Sequence, residues 1–303
     1  MNQTKLSLRH ALIAGIVVTV WGMNFYVIKV GLRGVPPLLL GCLRFLLVAF
    51  PAILFLPKPK ISLKWLIAYG MTISLAQFAF LFSAIAAGMP AGLASLVLQA
   101  QAFFTVGLSA LVFGDKLRAS NLIGMLVASG GLYLLGDASL HNGGMPVPLI
   151  GFVLTLCAAL SWATGNVVSK KIGPTAALSL VAWGALVPIV PFFLLSLYFE
   201  GFAQIQTSVL NMNLPSALTI AYLAFIASLV GYTLWGKLIV TLPTHVVAPL
   251  TLMVPVIGLS SCWLLLDEAL LPIQMVGAVI VMVGLLINVF GARIVQSART
   301  FFG

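Results

Sequence analysis

Ten apolar runs follow one another along this chain, each close to the ~20 residues that a helix needs to cross the hydrocarbon core of a bilayer. Breaks at Gly, Pro and clustered charges place them at about 8–30, 37–56, 63–86, 90–113, 120–136, 148–171, 175–199, 214–239, 243–265 and 272–292. Only short connections separate them, so no stretch remains for a soluble domain. In lipid every backbone N–H and C=O must find its partner inside the protein, and runs of this length can do so only as helices. The sequence therefore predicts an all-α membrane protein, one compact bundle of ten transmembrane helices. Composition agrees: 62% of residues are hydrophobic and 7% charged, against about 25% charged in a typical soluble domain.

The net charge of +10, from 15 Lys+Arg over 5 Asp+Glu, would suggest a nucleic-acid partner in a soluble chain. Here the bases lie between apolar runs, where they fix topology and meet anionic lipid headgroups, so the partner they imply is the bilayer and not nucleic acid. With the N-terminus inside, the inner side holds Lys5, Arg9, Lys58, Lys60, Lys64, Lys116, Arg118, Lys170, Lys171, Lys237, Arg293 and Arg299. The outer side holds Arg33 and Lys29, and carries Asp137, His141, Glu200, Asp267 and Glu268. The positive-inside rule then places both termini in the cytoplasm. Lys5 and Arg9 before an apolar run resemble the start of a signal peptide. That run continues through Trp21 to Val30 without a small-residue cleavage site, which predicts an uncleaved first span. Cys42, Cys157 and Cys262 fall in separate apolar runs without paired spacing, so they read as small core residues.

A second pattern divides the chain in two. Trp21-Gly22-Met23-Asn24-Phe25 in the first run returns in altered form as Trp162-Ala163-Thr164-Gly165-Asn166 in the sixth. The corner Gly88-Met89-Pro90-Ala91-Gly92 is matched by Leu242-Pro243-Thr244, and Gly114-Asp115-Lys116 by Leu266-Asp267-Glu268. Gly124 and Gly131 match Gly277 and Gly284 at a common offset of 153 residues. Residues 1–140 then hold spans 1–5 and residues 141–303 hold spans 6–10. Five crossings per half leave the second half upside down relative to the first. Two inverted halves around a midplane site form the architecture of a secondary transporter, in which one binding site faces either side in turn. The matched glycines let helices approach closely, so spans 5 and 10 read as packing helices or as faces toward a second copy.

The polar residues inside the spans are the candidate substrate contacts. Arg44 lies near the middle of span 2, where an unpaired Arg costs about 2.5 kcal/mol or more, and no Asp or Glu lies within any span to neutralise it. Its partners are either backbone carbonyls and water inside the bundle, or a substrate carboxylate held bidentately. Trp21 with Asn24, and Trp162 with Asn166, each share one helix face. An aromatic beside an amide can pack a small aliphatic metabolite while hydrogen bonding it, with Asn24 and Asn166 as mirror partners across the midplane. Gln77, Gln99 and Gln101 are further amides in apolar runs. Gln99 and Gln101 point to opposite sides of a helix, and Gln99 is the one favoured for the cavity. Tyr232 and Trp235 share a face of span 8 and can shape the inner vestibule, or serve as ordinary packing. Lys29, against the charge trend, is a candidate gate that attracts carboxylates. His245 is the span-associated group titrating near neutrality, a coupling switch or a buried structural histidine.

Enzyme readings lack their parts: no Gly-x-Ser-x-Gly, no His-Glu-x-x-His, no Walker lysine loop and no paired intramembrane carboxylates occur. No cofactor or metal ligand set is implied. A channel lacks a filter sequence, and inverted halves suit alternating access better.

At this point the chain resembles the drug/metabolite transporter superfamily and within it the EamA family. The resemblance rests on the paired Trp-Gly-x-Asn-Phe and Ser-Trp-x-x-Gly-Asn segments, on Leu43-Arg44-Phe45, and on Ala91-Gly92-Leu93-Ala94-Ser95 leading to Gly114-Asp115-Lys116-Leu117. It is strongest in Gln77–Phe82 and Gly88–Phe104. It covers nearly the whole chain and departs at Asp115-Lys116 and Asp267-Glu268, where many members carry Gly-Glu. The resemblance implies a ten-helix bundle in the bacterial inner membrane with a central cavity. It further implies export of small amino acids and related metabolites, cysteine and O-acetylserine in particular, by alternating access. Aromatic amino acids, purines or drugs are the alternative substrates of the same fold.

Overall fold

The computed structural model describes residues 7–141, 148–242 and 248–302. Ten helices in it are long and apolar enough to cross a membrane. They are span 1 (Leu8–Gly31), span 2 (Pro37–Phe55), span 3 (Leu63–Ala86), span 4 (Ala91–Phe113) and span 5 (Ala119–Asp137), then span 6 (Leu149–Ile172), span 7 (Ala177–Phe199), span 8 (Leu214–Thr241), span 9 (Pro249–Leu266) and span 10 (Pro272–Gly291). Their ends fall within two residues of the predicted limits, except at the start of span 9, where 243–247 lie outside the described residues. One element escaped the apolar count, a short helix Phe202–Leu210 between spans 7 and 8. At nine residues with two glutamines it gives no apolar run of spanning length.

Acids at the helix starts do what water would do outside a membrane. The first N–H groups of a helix have no partner within it, and they sit at the positive end of its dipole. Glu200, just after span 7, accepts from the Leu38 and Leu39 N–H groups of span 2 at 2.6 and 3.1 Å. Glu268, just after span 9, accepts from the Ala91 and Gly92 N–H groups of span 4 at 3.0 and 2.9 Å. At the opposite end of the bundle, Lys170 of span 6 pairs with Asp115 after span 4. These contacts sort the loops into two sets, and the charge rule names the basic set cytoplasmic.

Spans 5 and 10 pack backbone to backbone. A Cβ added at Gly124 would stand 2.6 Å from the Gly284 carbonyl oxygen, and one at Gly131 would stand 2.7 Å from that of Gly277. The two glycine stripes meet each other within one chain, so they are not faces toward a second copy. Elsewhere span 1 lies against spans 9 and 8, span 6 against spans 4 and 3, and span 2 against span 7. Exchanging spans 1–5 with 6–10 turns this set of neighbours into itself. The irregularities pair in the same way. Span 3 contains a π-helical stretch, Gly70–Ala76, and span 8 another, Tyr222–Val230. Span 4 breaks between Val97 and Ala100, and span 9 opens with a 3-10 turn, Ala248–Leu252. Spans 4 and 9 both end on a left-handed residue, Gly114 (φ 70°) and Asp267 (φ 56°). All of this is compatible with two inverted halves.

Candidate functional site

Arg44 is fixed by an aromatic group at the centre of the bundle. Phe45 of span 2 stacks on Phe192 of span 7 (5.9 Å between centroids) and meets Phe78 of span 3 edge-on (5.6 Å), while Phe78 packs against Phe82 (5.4 Å). The guanidinium lies over the Phe78 ring, 3.9 Å from its centroid. A desolvated cation–π contact of this kind is worth about 2 kcal/mol, which offsets part of the cost of burying the charge. Arg44 is 3% exposed, and Nη2 donates to Ser228 Oγ at 3.1 Å. Nε and Nη1 have no hydrogen-bond partner. Whichever Nη2 hydrogen Ser228 takes, one whole edge of the planar fork remains free. That edge has the shape of a carboxylate receptor.

Arg44 borders a narrow cavity between spans 2, 3, 7 and 8, of about 10 Å³, which is room for about one water, while its Nε and Nη1 are themselves buried. Its polar lining is Arg44, Tyr69, Ser74, Ser228 and Tyr232, and its apolar walls are Phe45, Val48, Ile73, Phe78 and Val181. Both π-helical stretches contribute: Ile73 and Ser74 from one, Ser228 from the other. A π turn is rare, and it re-aims side chains by inserting one residue into the helix. The wider turn lets the Ser228 hydroxyl donate to the Leu223 carbonyl five residues earlier at 2.8 Å, which leaves its oxygen lone pairs for Arg44. Arg44, Ser74 and Ser228 stand near the middles of their spans. Tyr69, Val181 and Tyr232 lie toward the ends that the charge rule assigns to the cytoplasm, so the cavity extends from the midplane into that half of the bundle.

Arg44 and Tyr232 therefore meet at one site as candidates. Trp21, Asn24, Gln77, Gln99, Trp162, Asn166 and Trp235 do not line it, and the cavity does not lie between Asn24 and Asn166. Trp21 donates from Nε1 to the Ala227 carbonyl in the π-helical stretch of span 8 at 3.0 Å, and its ring packs on Tyr232 and Trp235. It braces the cavity wall from behind. Asn166 donates to Gln101 Oε1 and to Thr105 Oγ1, both at 3.1 Å, tying span 6 to span 4. Gln101, and not the favoured Gln99, meets Asn166. Gln99 is buried in the break of span 4, and Gln77 is buried in span 3. Asn24 differs from its twin: its Oδ1 is buried without a partner. Lys29 occupies the last turn of span 1, where a positive charge favours the helix dipole. His245 lies outside the described residues.

Tyr69, Ser74 and Ser228 were not singled out from the sequence, yet a signal for two of them existed. Ser74-Leu75-Ala76-Gln77-Phe78 recurs as Ser228-Leu229-Val230-Gly231-Tyr232, at an offset of 154 residues. The serine and the aromatic of each copy both line the cavity.

The sequence profile described as "EamA-like transporter family" matches the chain twice, over residues 9–136 and 149–290. The chain is 53% identical over 292 residues to a "Probable amino-acid metabolite efflux pump" of Escherichia coli (strain K12), spanning 95% of this chain and 97% of that protein. It is also 53% identical over 298 residues to a protein of the same description from Salmonella typhimurium, with 97% and 99% covered. An "Uncharacterized transporter YoaV" of Bacillus subtilis is 23% identical over 282 residues, 90% of this chain and 94% of that protein. A solved crystal structure with 19% identical sequence matches at a TM-score of 0.63 over 93% of this chain and 96% of its own. That likeness speaks for the fold alone.

Proposed function

The chain belongs to the EamA-like transporter family, and from that premise we propose that it exports small amino acids and related metabolites across the bacterial inner membrane, cysteine and O-acetylserine among them. The observation that carries the reading is the buried Arg44, with Nε and Nη1 unpartnered, beside a small cavity lined by no acidic side chain. A substrate carboxylate on these groups would neutralise the buried charge through paired charge-assisted hydrogen bonds. The small hydroxyl and aromatic lining suits a short side chain beyond it. The cavity's extension into the cytoplasmic half suits a carrier that loads from the cytoplasm. The names printed for the 53% identical relatives point to the same substrate class.

Transport is proposed to proceed by alternating access between two inverted halves, residues 1–140 and 141–303. The doubled profile match, the self-matching set of span neighbours and the paired π-helical stretches support it. In such a mechanism the two halves rock around a fixed midplane site. Here that site would be formed by spans 2 and 3 of one half and 7 and 8 of the other.

Purified protein in liposomes preloaded with unlabelled cysteine or O-acetylserine tests the proposal. Labelled substrate added outside is expected to accumulate transiently by counterflow, and Arg44→Gln to abolish it. Equal downhill flux with no counterflow would instead indicate a pore.

A further inference from the structure

The two carboxylates that cap helix starts also tie the halves together. Glu200 and Glu268 belong to residues 141–303. The N–H groups they accept from belong to residues 1–140: Leu38 and Leu39 at the start of span 2, Ala91 and Gly92 at the start of span 4. Both contacts lie at the end that the charge rule assigns to the outside, and the Arg44 cavity extends the other way. Glu268 is 8% exposed, so water screens its hold on the helix start only weakly. Ser196 donates to Glu200 and steadies its carboxylate.

The inner end has no equivalent pair among the described residues. Asp115 stands 153 residues before Glu268 and is its counterpart in the repeat. It pairs instead with Lys170, and both side chains are about half exposed, where an ion pair contributes little. The loop after span 2, the counterpart of the one that holds Glu200, carries Lys58 and Lys60 and no acid. Capping that served the fold alone would recur at both ends of a repeated structure. Here the buried acids sit at one end.

We infer that Glu200 and Glu268 form the outer gate of the transport cycle. Their four bonds to the first half hold span 7 to span 2 and span 9 to span 4 while the site faces the cytoplasm, and they part for substrate to leave. The inference rests on alternating access between the two halves. Each carboxylate spends both oxygens on a single helix start, so its contacts are made and lost as a unit.

Two native cysteines can report on the gate. Cys42 lies one turn into span 2 from Leu38, is 7% exposed, and has Sγ 3.6 Å from the Ile189 carbonyl of span 7. Cys262 is fully buried in span 9, and a Cβ at Gly92 would stand 3.2 Å from its own Cβ. The full-length protein keeps one of these thiols at a time, the other cysteines being replaced by alanine, and an impermeant maleimide is added outside intact cells. Glu268→Gln keeps the size of the side chain and removes its charge, and it is expected to speed labelling of Cys262 about tenfold. Glu200→Gln is expected to do the same for Cys42. Labelling of Val181→Cys, toward the inner end of span 7, from the cytoplasmic face of inverted vesicles is expected not to rise. Outer labelling unchanged, or outer and inner labelling rising together as in a loosened fold, would overturn the inference.

Should those variants fail to insert, Gly92→Cys tests the gate from the other direction. Its Cβ would stand close to disulfide distance from that of Cys262. Oxidation is expected to stop O-acetylserine counterflow in liposomes, and reductant to restore it. Counterflow that persists through a fully formed bridge would overturn the gate and leave alternating access standing. No counterflow even in the unmodified protein would overturn both.

Discussion

The twin Trp/Asn motifs of spans 1 and 6 and the twin π-helical stretches of spans 3 and 8 are both repeats, yet they hold their polar groups differently. In the motifs, Trp21 is bonded to Ala227 and Asn166 to Gln101 and Thr105, so these side chains are used up by the protein. In the π-helical stretches, Ser74 and Ser228 border a cavity with an unspent guanidinium edge. A recurrence in sequence marks equivalent positions. Whether a position is scaffold or site depends on what the neighbouring helix offers it.

Substitutions should separate the two regions by which quantity they move. Ser228→Ala removes the hydrogen bond that orients Arg44, and it is expected to weaken carboxylate binding by about five- to tenfold. It also takes a hydrogen bond from a buried cation, so about 1–3 kcal/mol of stability is expected to go as well, and binding is the quantity that separates it from the scaffold. Asn166→Ala leaves the Gln101 oxygen without its donor, and it is expected to cost about 1–3 kcal/mol of stability. Substrate affinity should then stay within about twofold, because the residue lies outside the cavity. Measuring unfolding and binding on both variants breaks the comparison if their effects trade places. Trp21→Phe keeps an aromatic ring, though a smaller one, and loses the bond to the Ala227 carbonyl, so about 1 kcal/mol or more of stability is expected to go.

The smallest effect belongs to Asn24, and it sharpens the contrast between twins. The span 4 residues that hold Asn166 are Gln101 and Thr105, and the positions 153 residues later in span 9 are Val254 and Gly258. The neighbouring span 1 residues lie against that stretch, with Gly22 facing Val254 and Ile257 and Phe25 facing Gly258. With its oxygen unpartnered, Asn24 has little to lose, and Asn24→Leu is expected to change stability by less than about 0.5 kcal/mol or to raise it. A loss as large as that of Asn166→Ala would show an interaction for Asn24 comparable to its twin's. The sidedness underneath can be checked by thiol labelling in a cysteine-free background. In intact cells an impermeant reagent should reach Ala269→Cys and not Lys60→Cys.

The ten spans were legible because lipid leaves a backbone no alternative to the helix, and the charge rule ordered their loops. Arg44 was legible for the same reason, since a lone base in an apolar run demands a partner. The π-helical stretches were not legible, because an inserted residue depends on packing against other spans rather than on local preference. The Ser-Leu-x-x-aromatic recurrence pointed to them, but serine in a membrane helix usually bonds its own backbone, as Ser161 and Ser169 do here. Neither Gln99, favoured for the cavity, nor Gln101 lines it, and Gln101 instead accepts from Asn166. Helical phase was carried through span 4 as if it were continuous, and the break at Leu98-Gln99 resets it.

The central claim is that a substrate carboxylate sits on the free edge of Arg44. A binding cycle tests it directly, using cysteine and its amide, cysteinamide, against the unmodified protein and Arg44→Gln. If the carboxylate and the guanidinium meet, replacing the acid by its amide should weaken binding to the unmodified protein by more than about tenfold and change binding to Arg44→Gln little, giving a coupling of about 1.4 kcal/mol or more. Equal losses in both proteins, and so no coupling, would contradict the account and place the carboxylate elsewhere.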